Sequence, residues 1–190
     1  MGFLKKRQTA VAVFVVVVAA FSLIGCHRSL GREVRRVERA FFDKALLTSY
    51  NAYTAPAEQL ENCLKLSNRL LSVINGADAL DGEYAAVASA RQALSDALSA
   101  GDISDIYDAN TVLAEAVSSV EGQISAGGVT LPESSDDYRA IVSDFGSAQR
   151  VAAQSPYNDH VDGFIAGTVN RFPTNILRAL SFTPLPEKFE

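Results

Sequence analysis

The chain has no tryptophan, two cysteines and two histidines, and each shortage removes a class of explanation. Without tryptophan, and with alanine and serine abundant, close contact of helices through small side chains replaces a bulky aromatic core. Cys26 and Cys63 sit in different settings, one at the edge of an apolar run and one on an apolar helical stripe, so no disulfide between them is expected. His27 and His160 are too widely separated to complete a tetrahedral nitrogen–sulfur ligand set for zinc. There is no Gly-x-Ser-x-Gly elbow, no phosphate-binding loop and no cysteine–histidine pair in a triad-like context. The expectation is a chain that is not an enzyme and carries no cofactor and no metal.

Strand-like alternation is almost absent as well, which excludes a sheet protein. At 190 residues the length suits one domain with a respectable core. Charge is unevenly distributed. Beyond Cys26 there are 14 basic and 22 acidic residues, a net of −8. Within that part, His27 to Lys44 is basic at +3, through Arg28, Arg32, Arg35, Arg36, Arg39 and Lys44, and the remainder is −11. An acidic body argues against a nucleic-acid partner, because phosphate binding requires a basic face. The basic collar can instead rest on anionic lipid, each cation contributing about 1 kcal/mol near the surface.

What the chain does have is one long apolar run. Thr9 to Gly25 (TAVAVFVVVVAAFSLIG) is 17 uncharged residues preceded by Lys5-Lys6-Arg7. That is at the short end of what crosses a bilayer, about 17–25 residues, and longer than a usual signal-peptide core. Leu23-Ile24-Gly25-Cys26 also resembles a bacterial lipobox, in which the signal is cut and the cysteine lipidated. Two readings therefore stand: an uncleaved single-pass transmembrane helix, or a lipoprotein attached through Cys26. A buried soluble helix is disfavoured because no polar face interrupts the run. Both leading readings put the protein on a cell membrane. The basic flanks, three residues before the run and five in the fifteen after Cys26, do not favour export, whereas the start itself looks export-directed. An extracytoplasmic body is the expectation.

The rest reads as an all-α, elongated antiparallel helix bundle. Leu30, Val34, Val37 and Phe41 form a first apolar stripe continuing toward Ala45, and Tyr50 to Tyr53 reads as a break. Thr54 is expected to cap the next helix with Pro56 in its first turn, and that helix carries Leu60, Cys63, Leu64, Leu70, Leu71 and Ile74 until Asn75-Gly76. A third runs from Asp81 through Tyr84, Val87, Leu94 and Leu98 to Gly101. A fourth opens at Asp102, carries Ile106, Leu113, Val117, Val120 and Ile124 at coiled-coil-like steps, and closes at Ala126-Gly127-Gly128. Thr130-Leu131-Pro132-Glu133 fits a capping box. The stripe Tyr138, Ile141, Val142, Phe145, Ala148 and Ala152 follows, resuming after Pro156 as Tyr157, Val161, Phe164, Ile165, Thr168 and Phe172. This predicts one long helix kinked at Pro156, where the lost hydrogen bond costs about 3 kcal/mol. Residues 1–25 are thus an anchor, 27–172 a bundle, and 173–190 a non-helical tail that packs Ile176, Leu177, Leu180, Phe182 and Phe189 back on the bundle.

Pro156-Tyr157-Asn158-Asp159-His160-Val161, then Phe164, then Arg171-Phe172-Pro173-Thr174-Asn175-Ile176-Leu177 resembles the LemA family, whose C-terminal helix reads Tyr-Asn-x-x-Val through a Phe-Pro-x-Asn turn. The N-terminal anchor, the length and the Leu185 to Glu190 ending agree. Family members carry a second Tyr-Asn pair beyond the valine, and Gly163-Phe164-Ile165 departs from it here. The resemblance implies a membrane-anchored helix bundle, associated in some cases with membrane proteases or envelope-assembly factors, and supplies no catalytic residue.

Tyr157, Asn158, Val161, Phe172, Pro173 and Asn175 are therefore the motif residues to locate. They read as structural: aromatic knobs on the core side, and an asparagine tying off the Phe-Pro turn. Asp136-Asp137 and Asp159/Asp162 lie at helix starts or on polar faces, and the Asp102, Asp105, Asp108 series winds around its helix rather than forming a calcium loop. The chemical fate to be assigned to Cys26 is lipidation. Three functions remain open: an interaction scaffold holding a membrane-protein partner, an accessory factor to a membrane protease or envelope-assembly system, and a hydrolase, which would need a cleft holding a perturbed titratable group.

Overall fold

A computed structural model describes residues 2–50, 54–127, 129, 131 and 135–190. The chain is all-α, with no strand among the described residues: α1 (Gly2–Arg39), α2 (Pro56–Ile74), α3 (Asp81–Ala100), α4 (Ile103–Ser125), α5 (Ser135–Ala153), α6 (Tyr157–Phe164) and α7 (Thr174–Ser181). Short 3-10 turns cover Lys44–Tyr50 and Asp78–Leu80, and a π-helical turn covers Ile165–Val169. The break expected at Asn51 to Tyr53, Gly128 and the capping box at Thr130 to Glu133 lie outside the described residues, apart from Leu131.

The chain divides into two compact units. The larger is residues 39–160 with 187–190. Here α2 packs between α5 and α3, and α3 packs on α4. The links are short because the stop signals are local. Gly76 (φ 86°) follows the end of α2, and Gly101 (φ 81°) follows α3 with its N–H bonded to the Ala97 carbonyl. Both occupy the left-handed region that glycine enters without a Cβ penalty. Asp102 then caps α4, its carboxylate accepting from the Asp105 N–H at 3.1 Å, so α3 and α4 form an antiparallel hairpin. The apolar stripes meet inside: Leu60, Cys63, Leu70 and Ile74 from α2, Val87 and Leu94 from α3, Ile106, Leu113 and Val120 from α4, Ile141 and Phe145 from α5. One buried polar pair in this interior is matched by its own side chains. Asn110 and Gln149 exchange two side-chain hydrogen bonds, at 2.9 and 2.7 Å, tying α4 to α5.

Three expectations are corrected in this unit. Thr54 does not cap α2: Ala55 is the N-cap residue and has no side-chain cap, and the Ala57 N–H is satisfied by the Phe41 carbonyl instead. Tyr84 is exposed rather than buried on the α3 stripe. The long kinked helix is in fact two helices, because α5 stops at Ala153 and α6 starts at Tyr157. Pro156 stands just ahead of α6, where its missing N–H is no loss, and its carbonyl accepts from the His160 N–H. Separating the helices at Gln154-Ser155-Pro156 avoids the interior clash that a kink would carry.

The smaller unit joins residues 1–38 to 161–186. From Thr9 onward α1 is long and apolar enough to cross a membrane, and none of its apolar window is buried. Further along α1, Leu30, Val34 and Val37 are buried, as are Val161, Val169 and Thr183 of the second segment. The stripe expected at Thr168 and Phe172 fails here for a geometric reason. The Asn170 N–H reaches back five residues to the Ile165 carbonyl, so the π-helical turn holds one extra residue. That extra residue buries Val169 in place of Thr168 and leaves Phe172 exposed. The tail expectation is corrected in part: residues 174–181 are helical, and Ile176, Leu180 and Phe182 are exposed, whereas Phe189 is buried as expected.

Candidate functional site

The motif residues divide between two places. Tyr157, Asn158 and the chain end meet in the larger unit. Pro156 starts α6 so that Tyr157, in its first turn, is directed into the core, where it is fully buried. Its hydroxyl donates to the Glu187 carbonyl at 2.7 Å. Asn158 makes a two-point contact with Phe189: its Nδ2 donates to the Phe189 carbonyl at 3.0 Å, and its Oδ1 accepts from the Phe189 N–H at 2.9 Å. The side-chain amide thus does for Phe189 what a neighbouring strand would do, pairing donor and acceptor of one residue. The Phe189 ring inserts among aromatic edges, 5.2 Å from Phe41 and 5.3 Å from Tyr107 between centroids, while Phe41 also meets Tyr157 edge-to-face at 5.3 Å. Glu187 completes the latch by accepting from the Ile103 N–H at the start of α4, at 3.2 Å.

Val161 is fully buried and belongs to the smaller unit, as do Phe172, Pro173 and Asn175. Those three are exposed, the Phe172–Pro173 bond is cis, and the Asn175 side chain accepts from the Ile176 N–H at 2.8 Å. The Asn175 bond is to the residue next to it, and Phe172 is no core knob. The motif is therefore two devices: a Tyr-Asn latch holding the chain end, and a Phe-Pro turn opening α7. The latch partners Glu187 to Phe189 carry no periodic signal, and only a pairing across about thirty residues of chain could have revealed them.

Other reactive groups are quiet. Neither cysteine is in a disulfide. Cys63 is buried and burial pushes its thiol up to about 12, which keeps it protonated and unreactive at neutral pH. Cys26 is half-buried within the unbroken helix α1. No group of acidic, histidine or cysteine side chains that could hold a metal occurs among the described residues. Asp136 faces Arg139 at 3.7 Å in an exposed pair of little energetic weight.

One open groove of about 350 Å³ lies along α4 and α5, lined by Glu121, Tyr138, Arg139, Ser143, Gly146 and Arg150 among others. The Tyr138 hydroxyl is buried there without a hydrogen-bond partner, and desolvation, then the neighbouring Glu121 charge, raises its ionisation away from neutrality. A phenol shifted in that direction is a weaker acid. Comparison with models of known protein families, with curated proteins and with solved structures finds no match to this chain.

Proposed function

We propose that this is a single-pass, membrane-tethered scaffold of the LemA type, holding a membrane-protein partner through its helical body rather than transforming a substrate. The observation that carries the reading is the state of α1. None of the side chains in its apolar window is buried within the chain, and such a surface is stable in hydrocarbon rather than in water. The basic residues Arg28, Arg32, Arg35 and Arg36 follow directly, at headgroup depth for a helix that leaves the bilayer near Cys26. The LemA assignment rests on the Tyr157-to-Leu177 motif alone, and a role beside a membrane protease or envelope-assembly system follows from that resemblance and from nothing else.

Cys26 sustains the lipoprotein alternative, being a free cysteine at the edge of the apolar run. The length of the uncharged run, beyond a usual signal-peptide core, supports the uncleaved helix. Intact mass spectrometry of membrane-extracted protein separates the two. The full chain is expected; a mass lacking residues 1–25 and carrying acyl groups on Cys26 replaces the spanning helix with a lipid anchor. Affinity capture from detergent-solubilised membranes is expected to return a reproducible membrane-protein partner, and its absence argues against the scaffold.

A further inference from the structure

The exposed apolar residues of the smaller unit are unexplained by a spanning helix alone. Phe172 is 80% exposed, Ile176 50%, Leu180 56% and Phe182 89%, within one eleven-residue stretch centred on α7. Ile176 and Leu180 are one turn apart and so share a face of α7. Phe182 follows in the left-handed conformation (φ 53°), its N–H closing the helix on the Arg178 carbonyl. Glycine usually fills that position, because a Cβ is disfavoured there. A large ring held outward at such a site is not accounted for by packing within the chain.

Two further observations say what covers it. The first is position. His27 Nδ1 donates toward the Ser181 carbonyl at 3.0 Å and lies 3.1 Å from the Thr183 hydroxyl, which brackets Phe182 beside the residue that follows Cys26. On the reading above, that is where α1 passes from hydrocarbon to headgroups. The second is charge. In a chain of 22 acidic residues, the segment from Gly163 to Pro186 contains none, and it carries Arg171 and Arg178. A surface with aromatic and aliphatic side chains, arginines and no carboxylate matches an anionic membrane interface.

We propose that α7 and its flanking phenylalanines form a second membrane contact, an amphipathic foot lying in the lipid interface beside the exit point of α1. The occupant of this face is the bilayer itself. Phe182, Ile176 and Leu180 enter the boundary between headgroups and acyl chains, and the exposed Arg171 meets lipid phosphates, while the Arg178 guanidinium turns inward and donates to the Thr183 carbonyl. The foot gives the anchor two points of attachment, so rotation of the smaller unit about the axis of α1 is restricted. The proposal rests on the membrane reading of α1.

The absence of tryptophan makes the test clean, because one introduced indole is the only one present. Full-length Phe182→Trp and Phe14→Trp variants, each with its N-terminus intact by mass, are reconstituted in phosphatidylcholine–phosphatidylglycerol vesicles containing lipids brominated at shallow or deep acyl positions. The expected result is a blue-shifted Phe182→Trp emission quenched chiefly by the shallow label, with Phe14→Trp quenched chiefly by the deep one. Quenching at residue 14 but a water-like, unquenched spectrum at residue 182 overturns the foot while leaving the spanning helix intact. Absence of quenching at both removes the spanning reading and the foot with it. A blue-shifted residue 182 that no lipid label quenches overturns the foot in favour of cover by a protein, whether a second copy or a partner.

Discussion

The two units use the same apolar residue types to opposite ends. In the larger, Phe41 is fully buried among Tyr157, Phe189 and Phe42. In the smaller, Phe14 is 68% exposed and the valines around it are open on every side of the helix. The distinction lies in periodicity rather than composition. Apolar residues spaced by three and four leave a polar face and commit the other face to a partner helix, whereas an unbroken run leaves no polar face, and only an apolar solvent satisfies it. The larger unit turns its apolar stripes inward and the smaller leaves much of its apolar surface exposed, and the exposed residues around α7 show that this division does not simply follow the hydrophobic run.

The sharpest way to break this contrast is to make one truncation on each side. Phe41→Ala is expected to destabilise the larger unit by about 3–5 kcal/mol, the range for removing a buried aromatic ring, read as a lower denaturant midpoint in detergent solution. Phe14→Ala should leave that midpoint unchanged. Equal effects would mean that α1 packs on protein after all. A smaller loss is expected at the latch. Asn158→Ala strips both partners from the Phe189 backbone and should cost about 1–3 kcal/mol, with faster amide exchange at Phe189 reporting its release.

The least effect at neutral pH, and a growing one above it, concerns Cys63. Its folded thiol is raised to about 12 from an ordinary value of 9.0, so between those limits the unfolded chain releases a proton that the folded chain retains. The contribution is therefore fully present below about pH 9 and lost as the pH climbs toward 12. Denaturant midpoints measured from pH 8 to 11 should fall more steeply in the wild type than in Cys63→Ala. Parallel slopes would show that the thiol is accessible to solvent.

Features encoded within a turn or two were legible in the sequence. Leu30, Val34, Val37 and Phe41 are buried as their spacing indicates, α2 ends just ahead of Asn75-Gly76, and α3 ends at Gly101 because a single left-handed residue stops a helix locally. What depended on distant atoms was not legible. The Ala57 N–H is capped by the Phe41 carbonyl, sixteen residues back, rather than by Thr54. Continuity of the apolar stripe across Pro156 suggested one helix, because spacing alone does not register three non-helical residues that nearly preserve the phase. The π-helical turn at Ile165–Val169 rotated everything after it, which is why Phe172 was assigned to the core. Of the motif, the burial of Tyr157 and Val161 was foreseeable from period; the grip of Tyr157 and Asn158 on Glu187 and Phe189 was not.

That grip also sets an order of events during synthesis. Phe41 emerges from the ribosome early, yet the ring that packs against it, Phe189, arrives about 150 residues later, on the order of ten seconds at ordinary elongation speeds. Through that interval the helices of the larger unit can pair locally, but the aromatic cluster at Phe41 stays unfinished.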